Sequence, residues 1–386
     1  MDFSFYFPVK LLFGRPIVEA LTEALETALG NSSRHPESAS VLLISDPGLA
    51  GTGLVERVTE RLHHDRWCVS LFTEVRSNPT VEDVELALEV ARANEVSALV
   101  ALGGGSVIDV GKAIGLLMAN GGTYADYQWH GRPIIRPILP LVAVPTTAGT
   151  GSEVTKVTVI GDPETHFKKG VLSPYMFPRV AVVDPELTVT LPPRLTAATG
   201  ADALVHALEA LLGKRSNPIT DGLATAALTR AWRFLPRATR DGDDLEARRE
   251  MALASTLAGT AFDQSGLGII HSLAGPLAAQ YDLHHGLCTA LLLPHGLAYN
   301  LPALDNKRAT LLLALGMPPS ASDSEVVGEV KAWVSKLGLP TSLGEAGVSG
   351  PDLRALAEEA SRMVLLPNNP RPATASDCQR ILEKAH

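Results

Sequence analysis

Cysteine is scarce in this chain, with Cys68, Cys288 and Cys378 the three thiols in 386 residues. Their wide separation supports neither a disulfide framework nor a thiolate metal site, so all three are read as reduced, structural residues. Any metal centre must then be built from histidine and carboxylate. Runs of lysine or arginine are missing too, and the formal net charge is −9. That leaves no phosphate-binding stripe for nucleic acid or an anionic membrane, and a small molecule is the expected partner. No uninterrupted apolar stretch approaches the roughly 20 residues that span a bilayer. The opening MDFSFYFPVK carries an acid at position 2 and no basic stretch leading into an apolar segment, unlike a signal peptide. A cytoplasmic location is the expectation.

What is present is a foldable composition, 46% hydrophobic and 19% charged, too apolar for a disordered chain. The length exceeds the roughly 250–300 residues at which a single core stops growing, so two domains are expected, with room for a buried cleft between them. In the first half, β-rich runs alternate with helical patterns. They comprise Val41 to Ser45, a helix near Leu54 to His63, a strand near Trp67 to Phe72, a helix from Val81 to Ala93, then Ala98 to Leu102 and Leu139 to Pro145. Strands apolar on both faces that alternate with helices predict a parallel sheet covered on each side, an α/β nucleotide-type domain. Two further runs, Val157 to Ile160 and Val180 to Val183, precede a turn-rich stretch ending at Arg194. Beyond it, Ala, Leu and Glu dominate and Gly and Pro recur at helix-end spacing, which predicts a helical second domain. The boundary is placed near Leu191 to Arg194, giving an α/β domain over 1–192 and a helical domain over 193–386.

Two loops have the composition of a nucleotide site. Strand Ala98 to Leu102 runs into Gly103-Gly104-Gly105-Ser106, and a helix bearing Asp109 and Lys112 follows. Glycines there allow a pyrophosphate close to the backbone, and the helix start offers amide donors and a positive dipole end; the same residues also suit a plain tight turn. The second loop runs from Pro145 through Thr146, Thr147, Gly149, Thr150 and Gly151 to Ser152 and Glu153. Its four hydroxyls serve packing poorly and suit hydrogen bonding to ribose, phosphate or nicotinamide. Asp46, at the tip of an early strand, is placed to accept from an adenosine ribose and to repel a 2′-phosphate, which favours NAD over NADP; a turn-forming Asp before Pro47 accounts for it equally well.

The helical half holds the metal candidates. Asp202 and His206 stand one helical turn apart on one face, amid Ala203, Leu204, Val205 and Ala207. His271 lies in the apolar stretch Gly268 to Ala274, and the pair His284-His285 follows beyond Gly275-Pro276, read as a helix break. Several histidines in apolar surroundings are costly to bury without a shared purpose, which one ion would supply. Three imidazoles and one carboxylate suit Fe(II) or Zn(II) in near-tetrahedral geometry with room for a substrate oxygen. Such an ion acts as a Lewis acid on an alcohol or carbonyl, so hydride exchange with a nicotinamide becomes feasible.

At this point the chain resembles the iron-containing, or group III, alcohol dehydrogenases, the family of lactaldehyde reductase and 1,3-propanediol dehydrogenase. The resemblance runs from Leu12-Phe13-Gly14 through GGGSVIDVGKAIG, PTTAGTGSE, VVDPELT, GADALVHALEA and SNPITDGLA to LLLPHGLAYN. It implies an N-terminal dinucleotide-binding α/β domain and a C-terminal helical domain, an architecture like that of the dehydroquinate synthases. It also implies a dimer or larger assembly, with cofactor and metal in the cleft between domains. Matched motif by motif, it implies Asp202, His206, His271 and His285 as ligands of iron, with zinc the alternative. Gly103, Gly104, Gly105, Ser106, Asp109, Thr146, Thr147, Thr150 and Lys168 are implied to line the nicotinamide cofactor site. Asp46 matches the acid of NAD-preferring members.

By the same matching, His284 and His295 are decoys. Phe262 falls where the family places an aromatic pocket wall, with helix core as its other reading. One departure concerns protons: many members carry a second histidine, a candidate relay, where this chain has Gly275, which enlarges the pocket. Val157 stands where some diol-handling members carry a polar residue, which turns the expectation away from lactaldehyde. The resulting expectation is hydride transfer between NAD(P)H and a small aldehyde or primary alcohol. A lyase or cyclase of the dehydroquinate synthase type would need a denser set of phosphate-gripping cations, and would show no net NADH turnover. A non-catalytic NAD- and metal-binding protein would show tight NAD binding without turnover.

Overall fold

The computed structural model describes residues 2–30, 39–163, 167–348 and 352–386, with backbone only for Phe167 and Lys168. Two compact units divide the chain. One comprises Phe7–Thr147 and Ser152–Thr188, the other Met1–Tyr6, Ala148–Gly151 and Val189–His386.

The first unit is built on β1 (Lys10–Phe13), β2 (Ser40–Ile44), β3 (Cys68–Phe72), β4 (Ala98–Gly103), β5 (Leu141–Pro145) and β8 (Val180–Val183). They form one six-stranded sheet in the order β1-β8-β5-β4-β2-β3, parallel throughout. Side chains alternate across it, so the inner strands β2, β4 and β5 each feed two cores. Val41, Leu43, Val100 and Leu102 pack with α1 (Ile17–Leu29), α2 (Pro47–Ala50) and α3 (Leu54–His64). Leu42, Ile44, Leu99 and Ala101 pack with α4 (Val81–Ala93), α5 (Gly105–Asn120) and α6 (Tyr124–Gln128). Burial on both faces is why these strands read as continuously apolar rather than alternating.

The run at Val157 leaves this sheet. It forms β6 (Val157–Asp162), paired antiparallel with β7 (Phe167–Leu172) in a separate two-stranded ribbon. Sequence pattern gave no hint of β7, whose FKKGVL holds two lysines and a glycine. Edge strand β1 was equally silent, since half of it is exposed.

The second unit is helical, as expected. Its first five helices are α7 (Pro193–Leu212), α8 (Pro218–Arg240), α9 (Leu245–Ser265), α10 (Ile269–Tyr281) and α11 (His285–Asn300). Pro192 and Pro193 begin α7, occupying the N-cap and first position, where a missing N–H costs nothing. By length and composition α7 could cross a membrane, but 94% of that window is buried inside the protein, as befits the central helix of a core.

One expectation is corrected here. Gly275-Pro276 does not break the helix, because α10 runs through both residues to Tyr281. A proline normally crowds the Cβ of the residue before it out of helical geometry, and Gly275 has none. Close packing of Leu273, Ala274, Leu277 and Ala278 in the core holds the remaining turns together. Of the cysteines, Cys288 and Cys378 are buried and Cys68 is exposed; none is in a disulfide.

Candidate metal centre

Positions 202, 206 and 209 fall at i, i+4 and i+7 on α7, which puts three polar side chains along one face of a buried helix. Asp202, His206 and Glu209 are each 5% exposed or less. Around Asp202 the expected imidazoles gather from three helices. His206 Nε2 lies 3.9 Å from Oδ2, while His271 Nε2 and His285 Nε2 lie 3.5 Å and 3.8 Å from Oδ1. Asp202, His271 and His285 offer ligand atoms that all fall within 4.8 Å of one another. His206 flanks that group, its ring stacked on His271 at 4.5 Å between centroids. On its other side Phe262 stacks at 4.4 Å, so this aromatic walls the histidine cluster itself.

The hydrogen bonds behind these side chains decide which ring nitrogens face inward. His206 Nδ1 donates to the Gly149 carbonyl at 3.3 Å, and His271 Nδ1 donates to Glu209 Oε2 at 2.7 Å. Each ring therefore turns its Nε2 toward Asp202. The Thr289 hydroxyl donates to Asp202 Oδ1 at 3.1 Å, aligning the carboxylate. Neither Thr289 nor Glu209 stood out in the sequence. The available signal for Glu209 was an acid three residues beyond a histidine in an otherwise apolar helix.

Charge follows from burial and proximity. Burial pushes the Asp202 carboxyl up, but the imidazoles of His206, His285 and His271 outweigh it and hold the group well below the usual carboxylate range. Burial takes His206 down to about 4, so its ring is neutral. Burial also acts to lower His271, yet Asp202 and Glu209 together raise it to about 9. His271 Nε2 is buried with no hydrogen-bond partner among the described residues. A buried nitrogen facing a carboxylate without bonding it, beside two further imidazoles, fits a divalent cation: it would take the place of a proton on the orphan nitrogen and match three nitrogen donors with one anionic oxygen.

The two decoy histidines lie elsewhere. His284 caps α11 by accepting from the Gly286 amide at 3.2 Å. His295 sits farther along the same helix, lowered to about 4 by burial and by Lys331 and Lys384. Gly275 is partly buried on α10, and a methyl added there would meet Met363 Cε at 3.6 Å, an ordinary contact.

In the α/β unit the cofactor candidates follow the carboxyl ends of three adjacent strands. Gly103 ends β4 opposite Pro145 at the end of β5, and the Thr146 amide donates to the Gly103 carbonyl at 3.0 Å. A Cβ at Gly103 would lie 2.5 Å from Val107, and one at Gly104 would touch Thr147 at 3.4 Å. Gly103 thus lets the first turn of α5 pack against the strand end, and Gly104 lets the two loops close up. Gly104 is the N-cap of α5 and brings no side chain to it, so Gly105 and Ser106 begin a 16-residue helix with an uncapped N-terminus.

Asp46, after β2, caps α2 by accepting from the Leu49 amide at 2.9 Å. The Asp109 carboxylate accepts from Ser152 Oγ at 2.5 Å and from the Val159 amide at 2.8 Å. Fully buried Lys112 donates to Ser152, Thr155 and the Val157 carbonyl. Asp109 and Lys112 thus fasten α5 to the end of the second loop and to β6. Val157 contributes that carbonyl and is half-buried. The Lys168 side chain lies outside the described residues. Gly149, Thr150 and Gly151 belong to the helical unit. Gly151 takes φ +64° where a Cβ would lie 2.6 Å from Gly259, and a Cβ at Gly149 would lie 2.7 Å from Thr199.

Comparison with known proteins bears on both units. Residues 8–185 match the family profile of iron-containing alcohol dehydrogenase, and residues 196–386 match the C-terminal profile of the Fe-containing alcohol dehydrogenase family. The chain is 36% identical over 387 residues to an NAD-dependent methanol dehydrogenase of Bacillus methanolicus, covering 99% of each. Its fold superposes on a crystal structure of 1,3-propanediol oxidoreductase with a TM-score of 0.93 at 34% identity, covering 100% of both chains. A sulfoacetaldehyde reductase from Bifidobacterium kashiwanohense in complex with NAD+ gives 0.89 at 29% identity, covering 100% of this chain and 99% of that one.

Proposed function

Since the chain belongs to the iron-containing alcohol dehydrogenase family, an NAD-dependent group of oxidoreductases, we propose that it interconverts a small primary alcohol and its aldehyde at an ion held by Asp202, His206, His271 and His285. The observation that carries this reading is the convergence of one buried carboxylate and three imidazoles from α7, α10 and α11, with His271 Nε2 otherwise unpartnered. A divalent cation among these groups supplies Lewis acidity toward the substrate oxygen. Asp202 contributes the negative charge and His206 a neutral nitrogen, while the Gly149 carbonyl and Glu209 keep the ring N–H bonds turned outward. Phe262, stacked against His206, shields that side from water. Iron is the family's metal, and the three-nitrogen, one-oxygen set accepts zinc as well.

For the cofactor, a nicotinamide supplies the hydride carrier. The uncapped start of α5 with Gly103 to Ser106 suits its pyrophosphate, and Thr146, Thr147 and Lys168 of the same unit complete the site in this reading. Asp109 acts by holding the second loop through Ser152 rather than by contacting the cofactor. Asp46 keeps a carboxylate at the tip of β2, which favours NAD over NADP. With Gly275 in place of an imidazole, the substrate proton leaves through solvent. Methanol, 1,3-propanediol and sulfoacetaldehyde, named for the relatives, define the range of small substrates to try.

The deciding experiment follows NADH and NADPH consumption with short aldehydes, charged ones included, and bound metal assayed in parallel. The expected result is aldehyde-dependent NADH loss that a chelator suppresses and Fe(II) or Zn(II) restores. Turnover indifferent to chelation, or no net NADH consumption with any aldehyde, would rule the reading out.

A further inference from the structure

Glu209 is a buried acid, 3% exposed, that takes no place in the proposed ligand set. Its carboxylate is fully occupied. Oε1 accepts from the Ile270 amide at 2.6 Å, and Oε2 accepts from the Gly268 amide at 3.0 Å and from His271 Nδ1 at 2.7 Å. Burying a charge is costly unless donors compensate it, and here all three come from one turn, the start of α10. That helix needs them, because its N-cap is Gly268, which has no side chain to offer. The intervening Ile269 amide is taken by Asn369 Oδ1 at 3.1 Å. A Cβ on Gly268 would lie 2.8 Å from that Asn369 oxygen and 3.2 Å from Glu209 Oε1, so the glycine is the condition for both side chains to reach the helix end.

We propose that Glu209 is a positioning residue for the metal centre: it fixes His271 with Nδ1 protonated and Nε2 directed at Asp202, and so raises the affinity of the site for its ion. The inference rests on the reading of Asp202, His206, His271 and His285 as ligands. Its physical content is that a carboxylate behind a ligating imidazole sets the tautomer, locks the ring plane and increases the basicity of the other nitrogen. The orphaned His271 Nε2, facing Asp202 Oδ1 at 3.5 Å, is the atom so presented. The competing explanation is that Glu209 merely caps α10. Asn369 separates the two, since it holds the neighbouring amide of the same helix end without touching the imidazole.

The test measures Zn(II) and Co(II) dissociation constants of the full chain by competition with a chelator of known affinity, alongside the Co(II) absorption spectrum and the melting temperature. Glu209→Gln is expected to weaken ion binding about 10–100-fold and to change the Co(II) spectrum, while Asn369→Ala lowers the melting temperature but leaves affinity within about threefold of the parent. In a His271→Ala background the Glu209→Gln change should have no further effect on affinity, because the two act as one unit. Should Glu209→Gln not fold, Glu209→Asp serves: it keeps the charge but is a methylene too short to span both amides and the imidazole, and at least a tenfold loss is expected, about the lower end of that range. Parent-like affinity in the Gln or Asp variant, or equal losses in the Glu209 and Asn369 variants, would overturn the proposal while leaving the metal centre intact. Failure of the parent chain to bind either ion would instead overturn the ligand assignment along with it.

Discussion

Asp202→Asn is expected to strip the chain of its ion and to lower kcat/KM by about a thousandfold or more, the loss of several kcal/mol of Lewis-acid stabilisation at tenfold per 1.4 kcal/mol. The substitution is isosteric, so it opens no cavity in α7, and the Thr289 hydroxyl retains an oxygen to donate to. What changes is charge. Asp202 is the one anion among the proposed donors, and three imidazoles around it draw its carboxyl far below the ordinary range. With an amide there, an entering cation would find no anionic oxygen among its donors, since Glu209 faces the far nitrogen of His271. Metal content by elemental analysis and steady-state rates check this together. A variant that keeps both its ion and its rate would remove Asp202 from the centre.

Much of this arrangement was legible in the chain. Asp202 and His206 at i, i+4 announced a shared helix face, and the apolar neighbours of His271 announced burial. The alternation of Val41, Leu42, Leu43 and Ile44 between two cores explains why the parallel sheet could be read from composition alone. The less visible parts are those without a side-chain signature. Gly149 serves His206 with a backbone carbonyl, which any residue possesses. Glu209 is a second acid on a mostly apolar helix, and nothing local says that it will meet the start of α10, some sixty residues later in the sequence, as its separation of 61 from Ile270 records. Gly275-Pro276 read as a stop because both residues usually end helices, whereas tertiary packing carries α10 past them. Asp46 and Asp109 illustrate a different ambiguity: their carboxylates have local partners that pattern reading cannot distinguish from a ligand's hydroxyls.

Gly286→Ala is expected to cost about 3 kcal/mol or more of stability, at or beyond the upper end of ordinary overpacking, because the added methyl would collide with backbone. It would lie 2.2 Å from the Ala198 carbonyl oxygen and 2.8 Å from its carbon, with Asp202 Cβ at 3.4 Å. Backbone of a buried helix cannot swing aside as a flexible side chain would, so the start of α11 must move away from α7. His285 is the preceding residue, 3.8 Å from Asp202 through its Nε2, and it moves as well. A displacement near 1 Å at a reacting centre costs on the order of a hundredfold, so ion affinity and rate should fall together with the melting temperature. Gly328→Ala is the control, an exposed helical site where nothing lies within 4 Å of the new methyl. A Gly286→Ala protein that melts with the parent and holds its ion as tightly would show that α7 and α11 have slack that their packing denies.

The depth at which α7 is buried has a consequence for handling the protein. Asp202 and His206 come together with His271 and His285 only when three helices are docked, so an unfolded chain presents no comparable set of donors. A cation taken up there is therefore thermodynamically linked to folding, adding about 1.4 kcal/mol to the unfolding free energy for each tenfold rise in free ion above the dissociation constant. Preparations that differ only in trace iron or zinc should unfold at different temperatures, and dialysis against a chelator should bring them to one value.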